Sequence, residues 1–177
     1  MLARFLNNLR LSWYIADKEP LVLVAVLALI TGAFVVALRA TYARQDDRRN
    51  LACLARNIYF EARGEPVKGQ HAVAEVTMNR KASGRYPATV CGVVYQKNWD
   101  PLRGRYVSAF SWTEFDYLPP PSGDQWAQAW EIAEAVYYRR EPPVLDGAMF
   151  FHATYIKPDW AKTKKPLARI GGHVFYK

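Results

Sequence analysis

Two glutamates four positions apart, Glu61 and Glu65, are the residues of this sequence that most directly suggest chemistry. A pair of carboxyl groups is typical of acid–base catalysis on a glycosidic bond. Glu61 follows a run of apolar residues, so its carboxyl is expected to be buried, and burial raises a carboxyl pKa toward the range that a general acid needs. Glu65 stands between a glycine and a proline, and we predict that it is a turn residue or a cap of the next helix.

Other kinds of site have weaker support. The three histidines, His71, His152 and His173, are dispersed, and no His-Glu-x-x-His spacing joins them. A structural or substrate-contacting role is therefore expected for each, and neither a metal ion nor an organic cofactor is predicted. The sequence also has no phosphate-binding loop and no Gly-x-Ser-x-Gly nucleophile motif.

Helical periodicity locates the elements that must position Glu61. Apolar residues at helical spacing predict a central helix over 51–62, with Asn50 as its cap and Gly64 as its stop. Pro66, a residue type favoured in the first turn, predicts a second helix that runs to about Lys81. Glu61 would then lie near the C-terminal end of the first helix.

A further amphipathic helix is predicted after Ser122 and Gln125, which have the spacing of a capping box, and it should end near Arg140. The remaining predictions are a short helix at 89–95, an irregular segment with a hairpin at 97–121, and small strands and turns at 149–176. The predicted fold class is α+β, mainly helical.

The composition and net charge of the chain indicate which kinds of molecule it could bind. The chain has 177 residues, a net charge of +8 and 14% aromatic residues, which together predict a packed domain with a basic surface. A basic surface favours anionic partners but does not choose among nucleic acid, acidic lipid and an anionic wall polymer. No nucleic-acid-binding fingerprint is present, so nucleic acid is not predicted as a partner. The aromatic residues of the predicted loops fit either sugar stacking or packing over a small core.

An uncharged stretch at 21–38, LVLVAVLALITGAFVVAL, predicts a transmembrane helix, because about 20 apolar residues cross the hydrocarbon layer. A signal-peptide core is shorter and ends at a small-residue cleavage site, which does not follow here. The predicted organisation is a cytoplasmic segment at 1–20, this single uncleaved span, a linker at 39–50 and a domain at 51–177. The basic residues flanking the span are nearly balanced, so charge does not set the topology.

Two cysteines, Cys53 and Cys91, leave two interpretations open. In an exported domain they would form one disulfide bond, whereas in a cytosolic domain they would be two buried thiols.

Residues 55–80, ARNIYFEARGEPVKGQHAVAEVTMNR, resemble the signature of the SleB-type cell-wall hydrolases, the spore-cortex-lytic enzyme family. Further blocks match in the same order at 86–96, 109–112, 151–160 and 170–176. The resemblance covers essentially all of 51–177. Some members carry an N-terminal peptidoglycan-binding repeat that this sequence lacks, and the membrane segment in its place favours general wall remodelling over a role in the spore cortex.

The resemblance implies a lysozyme-like fold with a substrate cleft, and cleavage of the MurNAc–GlcNAc backbone of peptidoglycan. It implies that Glu61, the first glutamate of the EARGE motif, is the catalytic acid. Relatives act as lytic transglycosylases, in which one carboxylate serves as acid and then as base. A hydrolase would use a second carboxylate, for which Asp100, Glu114 and Asp116 are candidates.

Such a function requires the domain to lie on the periplasmic side of a bacterial inner membrane. That location favours a Cys53–Cys91 disulfide bond, a pair that many similar proteins hold. The predicted substrate contacts are Gln70, Tyr95, Gln96, Ser111 and His152, with packing as the competing role for each. The alternative function is a catalytically silent peptidoglycan-binding scaffold module, against which the intact EARGE motif argues.

Overall fold

The computed structural model describes Arg10 and residues 18–101 and 103–177. Its helices are α1 (Glu19–Ala62), α2 (Val67–Ala82), α3 (Val90–Val94) and α4 (Gly123–Tyr137). Its strands are β1 (Lys97–Asp100), β2 (Arg105–Ser108), β3 (Phe150–Ala153), β4 (Pro166–Ile170) and β5 (His173–Tyr176), and short 3-10 helices cover Ser111–Glu114 and Asp159–Thr163. The predicted α+β, mainly helical class is confirmed.

The chain divides into two compact units, residues 1–45 and residues 46–177. In the first unit, every residue of 21–38 is exposed, including large apolar side chains such as Leu29 at 74%. The most apolar 18-residue window of α1 has a mean hydropathy of 3.0. Within the described residues, α1 is therefore the helix that is long and apolar enough to cross a membrane.

Residues 39–50, expected to be a linker, are helical, because α1 continues to Ala62. The sequence from Ala33 to Arg63 contains neither glycine nor proline, so no residue there interrupts the backbone hydrogen bonds of a helix. A run of charged residues is compatible with helix as well as with an irregular linker.

Asn50 does not cap the start of the helix that contains Glu61, so that prediction is wrong. It lies inside α1, where its Nδ2 donates to the backbone oxygen of Asp46 at 3.0 Å. Its Oδ1 accepts the backbone N–H groups of Val90 at 3.0 Å and Cys91 at 3.4 Å. The side chain therefore caps α3, which is distant in sequence, instead of its own helix.

The C-terminal part of α1 is the centre of the second unit, as the periodicity predicted. Leu54, Ala55 and Ile58 are completely buried, and each such aliphatic side chain of Leu or Ile size contributes about 1.5–3 kcal/mol of hydrophobic stabilisation. They belong to a cluster that includes buried residues of α3, α4 and the segment before the first 3-10 helix: Val90, Val94, Phe110, Ile132 and Ala133.

The strands form two antiparallel sheets, as expected for these segments. β1 and β2 make a hairpin, and the other three strands are ordered β3-β5-β4. Phe175 of β5 is completely buried and packs in a second cluster with Val73 and Val76 of α2. This cluster attaches the three-stranded sheet to the helices.

Helix α4 is present, but its predicted capping box is not formed. Ser122 occupies the N-cap position and makes no side-chain cap bond. The chain enters the helix through Gly123 at φ 71°, and this backbone conformation replaces the regular entry that a capping box requires. The helix ends at Tyr137, before Arg140, because Arg139 takes the left-handed conformation with φ 52°.

Candidate active site

A cleft of about 670 Å³ opens in the second unit between a helical wall and a strand wall. The helical wall comprises the C-terminal end of α1, the end of α2 and the first 3-10 helix. The strand wall comprises β3, the loop that follows it and the start of β5. The lining residues are Phe60, Glu61, Arg80, Arg103, 107–111, Glu114, 151–153, Tyr155, Ile156, Pro158, Trp160 and His173.

Glu61 occupies the last turn of α1 and lines this cleft. Its Oε1 is buried and has no hydrogen-bond partner among the described residues. A buried polar atom normally has a partner, so an unpaired carboxyl oxygen at a cleft is a position where a substrate group can supply one.

Burial raises the pKa of Glu61 above the ordinary carboxyl value. The backbone N–H groups of Trp112 and Ser111, the charge of Arg80 and the Ser111 hydroxyl favour the ionised form, but burial outweighs them. The carboxyl therefore keeps its proton to a higher pH than an exposed glutamate does, as a general acid requires.

Arg80 provides a fixed positive charge near Glu61. Its Nε donates to the backbone oxygen of Met149 at 2.9 Å. Its guanidinium lies 5.5 Å from the ring centroid of Tyr86 and 5.3 Å from that of Phe110. A cation held in this way can stabilise the Glu61 carboxylate once its proton has been transferred.

The 3-10 helix that faces Glu61 is held by a buried polar chain. Trp112 Nε1 donates to Asn57 Oδ1 at 2.9 Å, and Asn57 Nδ2 donates to Thr77 Oγ1 at 3.1 Å. The Trp112 ring also stacks on Phe60 at 4.8 Å between centroids. Asn57 is completely buried, so this chain sets the position of Ser111 and Trp112 with respect to α1.

Glu65 has a different environment from Glu61. Its Oε2 accepts the backbone N–H of Gly172 at 2.8 Å, and its Oε1 lies 3.5 Å from His173 Nδ1. A Cβ atom at Gly171, whose φ is +55°, would overlap Glu65 Oε2. Glu65 therefore fixes the turn between β4 and β5. It also lies between α1 and α2, where a turn residue was predicted.

Of the predicted substrate contacts, Ser111 and His152 line the cleft. Both ring nitrogens of His152 are engaged, since Nδ1 lies 2.9 Å from the Ala153 backbone oxygen and Nε2 lies 2.9 Å from the Tyr176 hydroxyl. Its ring also stacks on Tyr176 at 5.4 Å between centroids, and with both nitrogens engaged it has none left for a ligand.

The other three predicted contacts, Gln70, Tyr95 and Gln96, do not line the cleft. Gln70 is 2% exposed, and its Nε2 donates to the Glu65 backbone oxygen and to Gln128 Oε1. Gln96 Nε2 donates to Asn98 Oδ1, and Tyr95 packs its ring edge on Trp112. Local sequence does not reveal which side of an element faces a cleft, and here these side chains bind protein groups.

Among the proposed second carboxylates, Glu114 lines the cleft, whereas Asp100 and Asp116 do not. Glu114 is exposed, and its Oε1 accepts the Ser108 backbone N–H at 2.9 Å. This hydrogen bond, with a smaller effect of Arg105, lowers the pKa of Glu114. The Glu114 carboxylate thus stabilises the β1–β2 hairpin through its contacts with Ser108 and Arg105.

Cys53 and Cys91 are joined by a disulfide bond that links α1 to α3. No group of three or more His, Cys, Asp or Glu residues that could hold a metal ion occurs in the part of the chain that the structure describes.

Two cleft residues, Arg80 and His173, were not among the predicted site residues. Both lie in the matched sequence blocks, at the end of 55–80 and within 170–176, and for His173 only a general structural or substrate-contacting role was expected. The paired glycines before His173 mark a tight turn, but the hydrogen bond from Gly172 of that turn to Glu65 spans 107 positions, so no local pattern indicates it.

Comparison with known proteins connects the cleft to a family. The cell wall hydrolase family model matches residues 64–176, a range that begins just after Glu61. Spore cortex-lytic enzymes are similar to this chain: the Bacillus cereus protein is 28% identical over 130 residues, covering 73% of this chain and 45% of the relative. The Bacillus subtilis protein is 28% identical over 131 residues, covering 71% of this chain and 37% of the relative. The chain thus spans less than half the length of these relatives.

Two solved structures share the fold. One is the catalytic domain of the germination-specific lytic transglycosylase SleB from Bacillus anthracis, with a TM-score of 0.55 and 27% identity, covering 72% of this chain and 93% of that one. The other is the catalytic domain of the Bacillus cereus SleB protein, with a TM-score of 0.55 and 28% identity, covering 73% and 91%.

Proposed function

Because the chain belongs to the cell wall hydrolase family, we propose that it cleaves peptidoglycan glycan strands between MurNAc and GlcNAc, as a lytic transglycosylase with a lysozyme-like domain. The observation that carries this proposal is the Glu61 carboxyl, whose Oε1 is buried, unpaired among the described residues and part of the cleft. Burial raises its pKa, which suits a proton donor.

The reaction needs one carboxyl group. Glu61 donates its proton to the glycosidic oxygen, and the bond between that oxygen and MurNAc C1 breaks. The C6 hydroxyl of the same MurNAc then attacks C1, and its proton returns to Glu61, so that a 1,6-anhydro end forms without water. Arg80 stabilises the carboxylate between the two proton transfers.

Transglycosylation is favoured over hydrolysis because the second carboxylate in the cleft, Glu114, already binds protein groups. A hydrolase needs a carboxylate that is free to place water. Glu114 is exposed and engaged with Ser108 and Arg105, and Asp100 and Asp116 do not line the cleft. A solved relative is also described as a lytic transglycosylase.

Ser111 keeps its predicted role as a substrate contact, because its hydroxyl lies at the cleft beside Glu61. Exposed aromatic residues on the strand wall, Tyr155 at 89% and Trp160 at 37%, are suited to stacking against sugar rings. Peptidoglycan is the proposed partner of this cleft.

The proposed location is the periplasmic side of a bacterial inner membrane, with residues 21–38 as a single-pass anchor. The uncovered apolar surface of that segment supports the anchor. The Cys53–Cys91 bond supports an oxidising compartment, because disulfides rarely persist in the cytosol. A reporter enzyme that is active only in the periplasm should be active when fused after Lys177. A reporter that is active only in the cytoplasm should be inactive at the same position, and its activity would refute this location.

The test of the reaction is to incubate the full chain in detergent with purified sacculi and to analyse the released muropeptides by mass spectrometry. Wild type should release anhydro-muropeptides, and Glu61→Gln should release about 10³-fold less or none. Glu131→Gln is the matched control, because Glu131 is exposed on α4 and does not line the cleft.

Reducing-end products instead of anhydro products would indicate hydrolysis and would contradict the transglycosylase assignment. If neither wild type nor Glu61→Gln released products while both still bound sacculi, the chain would be a catalytically silent binding module. That outcome would refute the enzyme proposal as a whole.

A further inference from the structure

His173 lies in the same cleft as Glu61, and the single-glutamate mechanism does not use it. Its Nδ1 is buried and has no hydrogen-bond partner within the described residues. The acceptor that approaches it is Glu65 Oε1 at 3.5 Å, and Glu65 is in turn fixed by the Gly172 N–H. A histidine backed by an anchored carboxylate has its ring orientation and its tautomer set by that carboxylate.

The other ring nitrogen of His173, Nε2, is left with a lone pair when Nδ1 carries the proton toward Glu65. It forms no hydrogen bond in the described part of the chain, and the side chain remains 10% exposed although Nδ1 is buried. His152 lines the cleft as well, but both of its nitrogens are engaged. His173 is therefore the cleft histidine with a nitrogen available to a substrate.

We propose that His173, oriented by Glu65, is a second proton-transfer residue, whose Nε2 accepts the proton of the attacking MurNAc C6 hydroxyl while Glu61 protonates the leaving oxygen. This inference rests on the proposed transglycosylase function and refines one step of it: the C6 proton reaches Glu61 by way of His173 instead of directly. Glu65 does not contact substrate and acts as a positioning residue. The two glutamates of the EARGE motif then have separate tasks, one as the acid and one as the support of the base.

The atoms and protons of this step balance. The bond between C1 and the glycosidic oxygen breaks, the bond between C1 and O6 forms, Glu61 loses one proton and His173 gains one. The imidazolium returns its proton to the Glu61 carboxylate through water in the cleft, which restores both groups. Because acid and base act together, neither a free alkoxide nor a long-lived oxocarbenium ion is required.

The ionisable groups around His173 suit a base that is neutral before reaction. Burial lowers the pKa of His173, the Glu65 charge opposes this shift, and the His152 side chain adds to it. The charged residues that line the cleft opposite His173 are Glu61, Arg80 and Glu114 on the helical wall, together with Arg103. His173 must be unprotonated and Glu61 protonated, so the rate should rise with pH through the pKa of His173 and fall through that of Glu61.

The test measures kcat and KM of the full chain in detergent on a soluble GlcNAc–MurNAc oligosaccharide across pH. Glu65→Gln retains an oxygen for the Gly172 N–H but offers an amide N–H to Nδ1, which places the imidazole proton on Nε2. We expect kcat to fall about 10²-fold with KM nearly unchanged. His173→Gln should lose the rise of rate at low pH and keep the fall at high pH.

His152→Gln is the matched control, since it changes a histidine of the same wall and should keep the rise at low pH. Imidazole added to His173→Ala should restore activity, and it should not restore Glu61→Gln. Thermal unfolding of each variant separates loss of fold from loss of chemistry. Wild-type pH dependence in folded His173→Gln would overturn this inference, while an inactive Glu61→Gln would leave the proposed function standing.

Discussion

The two walls of the cleft are fixed by different kinds of interaction. The helical wall that carries Glu61 is held by apolar packing around α1, by the Cys53–Cys91 bond and by the buried Asn57 chain. The strand wall that carries His173 is attached through hydrogen bonds to its backbone. Glu65, just after α1, accepts the Gly172 N–H, and Asn79 and Arg80 of α2 donate to the backbone oxygens of Ala148 and Met149. One wall is fixed mainly by apolar packing and a covalent bond, and the other by a few hydrogen bonds to its backbone, in addition to its own strand pairing and the Phe175 cluster.

This difference explains why the two motif glutamates have such unlike environments. Glu61 can remain unpaired at Oε1 because its wall does not depend on it for stability. Glu65 is satisfied and structural, so its substitution should disturb the opposite wall. The comparison predicts that changes to the packing and cross-links of the helical wall, away from Glu61, act mainly on stability, and that changes at the Glu65 contact act on activity as well.

Removal of the disulfide is expected to have the largest effect on stability. The bond closes a loop between residues 38 positions apart, which corresponds to about 4 kcal/mol in the chain-entropy description. Cys53→Ala combined with Cys91→Ala should lower the unfolding free energy by about that amount, measured by denaturant titration. Reductant should lower wild type similarly and leave the double variant unchanged. Equal midpoints for wild type with and without reductant would show that the bond does not support the helical wall.

Gly171→Ala should break the contact of the strand wall. The added Cβ would overlap Glu65 Oε2 and would also sit at a positive φ, so we expect a loss of about 3 kcal/mol together with most of the activity. Gly84→Ala is the matched control, because its φ is +69° and its Cβ would meet open space. It should lose about 1–2 kcal/mol and keep its activity. Equal activity in the two folded variants would mean that the Glu65 contact does not position the strand wall.

Trp112→Phe tests the buried polar chain on the helical wall. It keeps an aromatic ring on Phe60 but leaves Asn57 Oδ1 without its donor, which should cost about 2 kcal/mol. In a double-mutant cycle with Asn57→Ala, the combined loss should be smaller than the sum of the single losses. Additive losses would show that the hydrogen bond does not couple Trp112 to α1.

The pH dependence of stability should show the smallest effect. The folded-state pKa of Glu61 lies above its unfolded value, so folding takes up a proton and wild-type stability falls as pH rises between the two values. Glu61→Gln lacks this loss. The melting temperature of Glu61→Gln relative to wild type should therefore increase from about pH 4 to about pH 8. If the difference in melting temperature between Glu61→Gln and wild type were constant over this range, the pKa of Glu61 would not be raised by folding.

The helices and the burial of Glu61 were predictable from sequence because their signals are local. Apolar spacing around Ile58 predicted a central helix, and Pro66 predicted the start of α2 just before Val67. The hairpin and the small strands also followed from turn residues. Glu61 followed from an apolar neighbourhood and a family motif, and its burial in the cleft agrees with both.

What was not predictable depends on contacts between distant residues. Asn50 has the residue type of a cap, and it does cap a helix, but the helix is α3 and begins 40 positions later. The absence of glycine and proline before it was the available indication that α1 continues. Gln70 lies in the matched block, yet its side chain contacts Gln128 on α4 and does not line the cleft. The block alone does not indicate which face of α2 is covered by α4. The Glu65–His173 contact also joins residues that are far apart in sequence.

The end of α1 has an electrostatic consequence. Glu61 is the residue before the last one of a 44-residue helix, where the carbonyl ends of the peptide dipoles accumulate. This partial negative charge disfavours a carboxylate by about 0.3–1 kcal/mol in the last turn and so adds to the effect of burial. The same side chain in the first turn of a helix would be favoured as a carboxylate. The direction in which the chain runs through α1 therefore helps Glu61 to retain its proton.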